Sequence, residues 1–410
     1  MNKKLLVLAV AGALAAPGVA LAQSSVTISG VFKASLENIR IGGPGAVRAA
    51  AGNNTSENRI ADDSSRILFN VVEDLGGGLS AIGQADMRIP MASGNFIAMS
   101  GNTHVGLRSK SMGRIFVGRQ DVHYGNTESD MSALAGDLRA DAVSVLAFMR
   151  DGTTAIASAS RTPNIIHYTT PNFSGFTAIV AYSTGSAGSA AGQPTSAGAA
   201  VVAQQQDLST TLRKGSALNI NPNYAASNFQ VGYSYWNSKP DGGGATLGTG
   251  DLRSDKIYGS FKMAGFKVGL SWDKSRVKAS TASAAGIAGV TGTGGVVGGA
   301  FASGTEVGSR TAWTLPISYM MGNNGFHFHY TKAQDDKATN VQDGAKMVAL
   351  SYQYTLSKRT SVGLTYAKIT NDAAAAYNLF TTGTLGNSTG ATSAAGEDPR
   401  LMAATIRHAF

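Results

Sequence analysis

From Ser25 onward the dominant period along the chain is two. Val26, Ile28, Gly30, Phe32, Ala34 and Leu36 alternate with Thr27, Ser29, Lys33, Ser35 and Glu37. The same alternation returns at Ile67-Phe69-Val71, through Leu79 to Ile89, Thr103 to Ser109 and Arg114 to Gly118. It continues at Ile166 to Thr169, Phe176 to Ser183, and Leu218 to Ala225, where Pro222 cannot donate to a ladder. Clear runs follow at Phe229-Val231-Tyr233-Tyr235, Ile257 to Met263, Phe266 to Trp272, Trp313 to Tyr319, Phe326 to Tyr330, Val348 to Tyr354, Val362 to Tyr366 and Met402 to Phe410. Strict alternation bounded by Gly and polar clusters predicts strands with one apolar face, sixteen of them. Pro316, inside one of the strongest runs, predicts a bulge.

The connections sort into two kinds. Short turns fall at Leu75–Gly78, Ser111–Gly113, Pro171–Gly175, Ala264–Gly265, Gly322–Gly325 and Ser357–Thr360. Long segments rich in Gly, Ala, Ser and Thr fall between them, as at Gly185–Gly215, Ala279–Gly308 and Asp372–Asp398. Sandwiches do not separate their loops this way, whereas barrels of outer membranes carry short turns at one rim and long loops at the other. Lipid offers no hydrogen bonds, so a sheet crosses it only by closing on itself. Tyr233, Tyr235, Tyr330, Tyr352, Tyr354, Tyr366 and Trp313 share the apolar parity, as interfacial girdles require. The prediction is an all-β, 16-stranded antiparallel transmembrane β-barrel, wide enough to enclose water.

Composition narrows this. Lys3 and Lys4, the apolar run Leu5 to Leu14 and Ala20-Leu21-Ala22 read as an export signal over 1–22, with cleavage between Ala22 and Gln23. Its loss lowers the formal charge from +9 to +7. There is no cysteine, so no disulfide framework, and the basic residues form no tracts of the kind that bind nucleic acid. Charged residues make up only 14%, fewer than most water-exposed domains carry.

One long interval differs from the rest. Residues 118–161 hold Asp121, Glu128, Asp130, Asp137, Asp141 and Asp151 with apolar Met131, Leu134, Leu138, Val143, Leu146 and Phe148. A long loop with its own packing residues is a functional device. It is expected to fold inward, as the third external loop, and narrow the channel.

Several segments together resemble one family. The start SSVTISGVFKASLE resembles a first strand, and SSRILFNVVEDLGGGLSAIGQAD is similar to a second and third strand of the trimeric general porins of Gram-negative outer membranes, betaproteobacterial branch. THVGLRSKSMGRIFVGRQ and YTTPNFSGFTAIVAYS look like later hairpins, and LMAATIRHAF matches the terminal strand with its final Phe410. The resemblance covers 23–410. It implies a homotrimer in lipid, a C-terminal strand read by the barrel-assembly machinery, and passive diffusion of small hydrophilic solutes and ions without a cofactor.

The resemblance also implies basic wall residues facing an acidic loop. Arg66 matches such a wall position; Asn70 and His167 stand where the family often has Arg or Lys, and Lys33 where it commonly has an acid. Parity adds Arg88 and Arg108, with Lys262 and Lys267 farther off. The loop candidates are Glu128, Asp130, Asp137 and Asp141. Such opposed charges set a transverse field across the narrowest section. With the net positive charge, this favours mild anion preference. His327 and His329 lie two apart on one strand with no Cys, Asp or Glu at ligand spacing, and His123 and His104 have no paired Ser and Asp at a recognisable spacing. The alternatives are a substrate-specific channel, a barrel enzyme and a surface adhesin or phage receptor.

Overall fold

The structure, a computed structural model, describes residues 24–43, 52, 54–62, 64–92, 99, 101–131, 142–147, 159, 161–185, 215–239, 250–279, 302–338, 341–379 and 393–410. The strands are β1 (Ser25–Gly42), β2 (Ser56–Asp62), β3 (Arg66–Gly76), β4 (Leu79–Arg88), β5 (Thr103–Ser109), β6 (Gly113–Asp121), β7 (Arg161–Thr169), β8 (Phe176–Gly185) and β9 (Gly215–Ala225). They continue as β10 (Phe229–Lys239), β11 (Gly250–Met263), β12 (Phe266–Ala279), β13 (Glu306–Met321), β14 (Asn324–Ala333), β15 (Ala345–Thr355), β16 (Thr360–Asn371) and β17 (Asp398–Ala409). Two short helices, α1 (Tyr124–Met131) and α2 (Val143–Leu146), lie between β6 and β7.

All neighbours pair antiparallel, and β1 closes the sheet. One edge of β1 pairs with β17 from Val31↔Ala409 to Gly42↔Asp398; its other edge pairs with β3 over Ser25–Val31 and with β2 over Ala34–Arg40. β2 and β3 are thus two halves of one wall strand, and the barrel has sixteen. The break is local. Ser64 takes a positive φ, the Ser64 and Ser65 N–H groups donate to the Asp62 carboxylate, and Ser65 exchanges hydrogen bonds with the Lys33 backbone. The first half, SENRIAD, was hidden in the sequence because Ile60 is its lone large apolar residue and the period has nothing to repeat on.

Neither proline breaks the register. Pro316 pairs opposite His329, and the β12–β13 ladder keeps one register from Val268↔Ile317 to Ser271↔Thr314, with the pairs between them missing. The expected bulge is therefore absent at this point: a proline removes one donor toward one neighbour, and the wall spans the lapse. Pro222 does the same, pairing with Ala178 of β8 while the β9–β10 pairs lapse beside it.

The exterior is apolar and the interior polar. Ile28, Leu36, Val105, Val117, Ile166, Ile257, Leu270, Leu350, Leu364 and Met402 are all exposed, while Ser234, Ser254, Asp273, Thr314 and Thr331 are buried on the opposite face. In water such an outer surface would aggregate; in hydrocarbon it is the favourable arrangement. Aromatic pairs ring the short-turn end: Tyr224–Phe229, Phe266–Tyr319, Phe326–Tyr352 and Phe32–Phe410, with centroids 4.3 to 5.7 Å apart. The tightest turn, Ala264-Gly265, has positive φ at both residues, the twist a two-residue hairpin needs.

Candidate functional site

The lumen face of β1 and β3 to β7 gathers basic side chains around two carboxylates. Alternation turns Arg66, Asp86 and Arg88 inward on β3 and β4. The Arg88 guanidinium donates to Asp86 at 2.9 Å, and Arg66 lies 3.6 Å from the same carboxylate. On β6 and β7, Arg161 stands 3.4 Å from Asp121. Arg119 completes the group, within electrostatic reach of Arg161, Asp121 and Arg88. Asn102 fixes both acids: its backbone N–H donates to Asp86 and its side-chain amide to Asp121.

Depth decides what a solute meets. The Asp86 side chain is 1% exposed, whereas Arg66 and Arg161 are 40% and 36% exposed. Asp86 is sunk in the wall beneath Arg66 and Arg88, Asp121 is half-buried against Arg161, and four guanidinium groups around two carboxylates leave the surface positive. Lys33 joins on β1, next to Arg66 through its backbone bonds to Ser65.

Not every expected residue belongs to this group. Asn70 lies on the same face of β3, opposite Gln84 and one alternation below Leu68. Arg108 sits opposite Arg114, three residues from a short turn, and is exposed at the mouth. His167 is buried lower in the lumen, where His104, Phe116 and His167 stack with centroids 4.2 and 4.4 Å apart and the Arg114 guanidinium over Phe116. Lys262 and Lys267 oppose each other beside the Ala264–Gly265 turn. The side chains of Glu128 and Asp130, and all of Asp137, Asp141, Ala22 and Gln23, lie outside the described residues.

Asp86, Arg119 and Arg161 were missed as wall residues in the sequence. Asp86 shares the parity of Arg88 and was legible from it. Arg119 was not, because β6 shifts register against β7 between Gly118 and Gln120, and that irregularity ends the alternation early. Gly118 has φ +143° there, and a Cβ on it would fall 2.3 Å from the Thr103 carbonyl oxygen.

The segment after β6 is fastened to the opposite wall. His123, fully buried, hydrogen-bonds Ser234 Oγ through Nδ1 and Ser254 Oγ through Nε2, both at 2.8 Å. Ser254 donates on to Asp273, which also accepts from Ser275 and from the Tyr124 hydroxyl. The Lys256 ammonium donates to Thr127 Oγ1 at 2.6 Å. Farther along, the Arg310 guanidinium donates to the Leu146 carbonyl and to the Tyr377 hydroxyl. A serine, a histidine and an aspartate thus do meet around His123, contrary to the spacing argument, brought together from β10, β11 and β12. Their arrangement is that of a clasp: a serine occupies each ring nitrogen, Asp273 contacts Ser254, and all are buried.

His327 and His329 both face inward and are buried, opposite Ser318 and Pro316. His408 faces outward, its Nδ1 2.9 Å from Thr360 Oγ1.

A closed sixteen-stranded sheet, apolar outside and lined with opposed charges inside, defines an outer-membrane channel. The Gram-negative porin family model matches residues 8–374, and the chain belongs to that family. Among solved structures it is similar to the anion-selective porin from Comamonas acidovorans, at 20% identity and TM-score 0.68, covering 95% of this chain and 100% of that one. In vitro folded OmpT, an outer membrane protein of Vibrio cholerae, matches at 11% identity and TM-score 0.60, over 94% of this chain and 98% of that one. OmpF of Salmonella typhi in complex with daunomycin matches at 14% identity and TM-score 0.56, over 94% and 97%. At these identities the likeness is one of fold. No curated protein sequence matches the chain. The protein is an outer-membrane β-barrel that forms a diffusion channel, in contact with membrane lipid; family and fold point to a channel rather than an enzyme.

Proposed function

We propose that this channel is narrowed by the 118–161 loop and passes small hydrophilic anions in preference to cations. The observation that carries the reading is the excess of positive charge on one wall: Arg66, Arg88, Arg119 and Arg161 around the sunken Asp86 and the half-buried Asp121, with Lys33 alongside. A low-dielectric wall focuses such a field into the water of the lumen. The clasp at His123 and the Arg310 contact to Leu146 support the loop as an inward fold, since both hold it against the wall opposite the arginines. Glu128, Asp130, Asp137 and Asp141 would supply the facing acids. The anion selectivity of the Comamonas porin belongs to that protein; here the preference is argued from the charges alone.

The same reading includes an export signal removed after Ala22, a homotrimer, and a C-terminal strand ending in Phe410 as the mark for barrel assembly. The chain acts without a cofactor and has no catalytic role. Planar-bilayer conductance across a salt gradient tests it: large steps in groups of three with an anion-sided reversal potential are expected. A folded, heat-modifiable barrel that gives no steps overturns the open pore, and a cation-sided potential overturns the selectivity.

A further inference from the structure

The inner wall carries a second pair of guanidinium groups, apart from those around Asp86 and Asp121. Arg108 on β5 and Arg114 on β6 stand directly opposite each other on the lumen face, close to the short-turn rim, and both are exposed. Arg114 lies five residues before Arg119 on β6, roughly 16 Å along the strand. That separation exceeds the Debye length of about 8 Å in physiological salt, so the two groups act on ions separately.

The pair is held in place and has no carboxylate of its own. The Arg114 Nε–H donates to Thr169 Oγ1 at 3.2 Å, and its guanidinium lies 5.6 Å from the centroid of Phe116, which is stacked between His104 and His167. Phe116 and His167 are buried, so the floor under Arg114 is dry on that side. Gly106, opposite Phe116, makes room for the stack, because a Cβ there would run into the Phe116 side chain and backbone. Among the described residues no carboxylate forms an ion pair with either arginine, and the charge bearing on Arg114 is that of Arg108. The acid nearest in the ladder, Asp74, stands two strands away beyond Ser80 and accepts the Gly76 N–H. Like charges directly opposite on one sheet face repel, so the pair is destabilising until an anion lies between the forks.

We propose that Arg108 and Arg114 form a second anion station at the inner mouth, which holds a phosphate group, free or as a monoester. A chloride ion offers no oxygens to a planar fork, whereas a phosphate carries close to two charges at pH 7 and has oxygens for both forks. Thr169 takes the Nε–H of Arg114 and leaves its terminal N–H groups for the ligand. A channel conducts quickly when it holds its ion at several weak sites rather than at one tight site. The station rests on the open, anion-passing pore argued above.

The test is single-channel conductance of the full-length protein in potassium chloride, with inorganic phosphate or glycerol 3-phosphate added on the short-turn side. Saturable block of the chloride current is expected from the parent. Block by both assigns the site to any phosphate group, and block by one alone to that source. Arg108→Gln with Arg114→Gln should raise the half-blocking concentration roughly tenfold or more, given about a fivefold loss for each charge withdrawn from beside the ligand. Lys262→Gln with Lys267→Gln removes two charges from the same rim, where the lysines are opposed point charges on β11 and β12, and should leave the block within about twofold. If the double arginine variant fails the heat-modifiability check for folding, Arg108→Gln is read alone, with about a fivefold loss expected. No block in a conducting channel, undiminished block in the folded arginine variants, or equal losses in the arginine and lysine variants overturns the station and leaves the open pore standing. No steps in potassium chloride alone overturns the pore, and the station with it.

Discussion

Arg66 and Arg88 stand directly opposite each other across the β3–β4 ladder and lean on one carboxylate, that of Asp86, at 3.6 and 2.9 Å. Two guanidinium groups on one acid leave a net positive charge, and the acid is the buried partner.

Charge reversal at this pair should reverse its effect on ions. Arg66→Glu changes the wall by two units, and unit charges about 4 Å apart in water interact by about 1 kcal/mol. The anion-to-cation permeability ratio should therefore fall by roughly five- to tenfold, read as a shift in reversal potential. An unchanged potential would remove Arg66 from the narrow section.

Acid should loosen the segment after β6. Burial holds the His123 imidazole below its ordinary pKa of 6.5, against the opposite pull of the nearby Asp273, with Lys256 adding to the lowering and Asp255 opposing it. Because Ser254 gives its proton to Asp273, it accepts from Nε2–H of the neutral ring, which leaves Nδ1 to accept from Ser234. With the detached ring titrating near 6.5 and the docked ring lower, the undocked state takes up more protons below that pH. Docking is therefore complete above about pH 6.5 and weakens as pH falls below it. Single-channel noise should rise between pH 7 and 5, and His123→Gln should flatten that dependence.

Arg310 ties three parts of the chain together, β13, α2 and the segment after β16, through Leu146 and Tyr377. Arg310→Met keeps the bulk and deletes these charged hydrogen bonds, each contributing about 1.5–3 kcal/mol. The expected result is an altered and noisier conductance with nearly unchanged barrel melting, since the ladders are untouched. A large drop in melting temperature would show instead that Arg310 holds the barrel.

Barrel closure depends on a missing side chain. Gly30 exchanges backbone hydrogen bonds with Phe410 at 3.1 Å, and a Cβ at Gly30 would fall 2.5 Å from the Phe410 ring. Gly30→Val should push that ring off Phe32 and destabilise the seam by about 1–3 kcal/mol. The measurement is the folded fraction on a heat-modifiability gel; a wild-type yield counts against a close-packed seam.

The wall of this protein was legible in the chain itself. A strand in lipid must show apolar residues on alternate positions and must hand over at a rim, so Val26 to Leu36 or Phe266 to Trp272 declare themselves without any partner. The polar strand β2 escaped because its outward side offers little beyond Ile60. The site is another matter. Inside a water-filled lumen a polar residue obeys no period-two rule beyond its parity, so Arg88 could be assigned to the interior but not to Asp86, Arg161 and Arg119. The register shift after Gly118, the meeting of His123 with Ser234 and Ser254, and the contact of Arg310 with Leu146 join residues more than a hundred positions apart or turn on one local irregularity. Alternation is a local consequence of the solvent outside; the constellation within is set by barrel closure, which alone brings distant strands to one height.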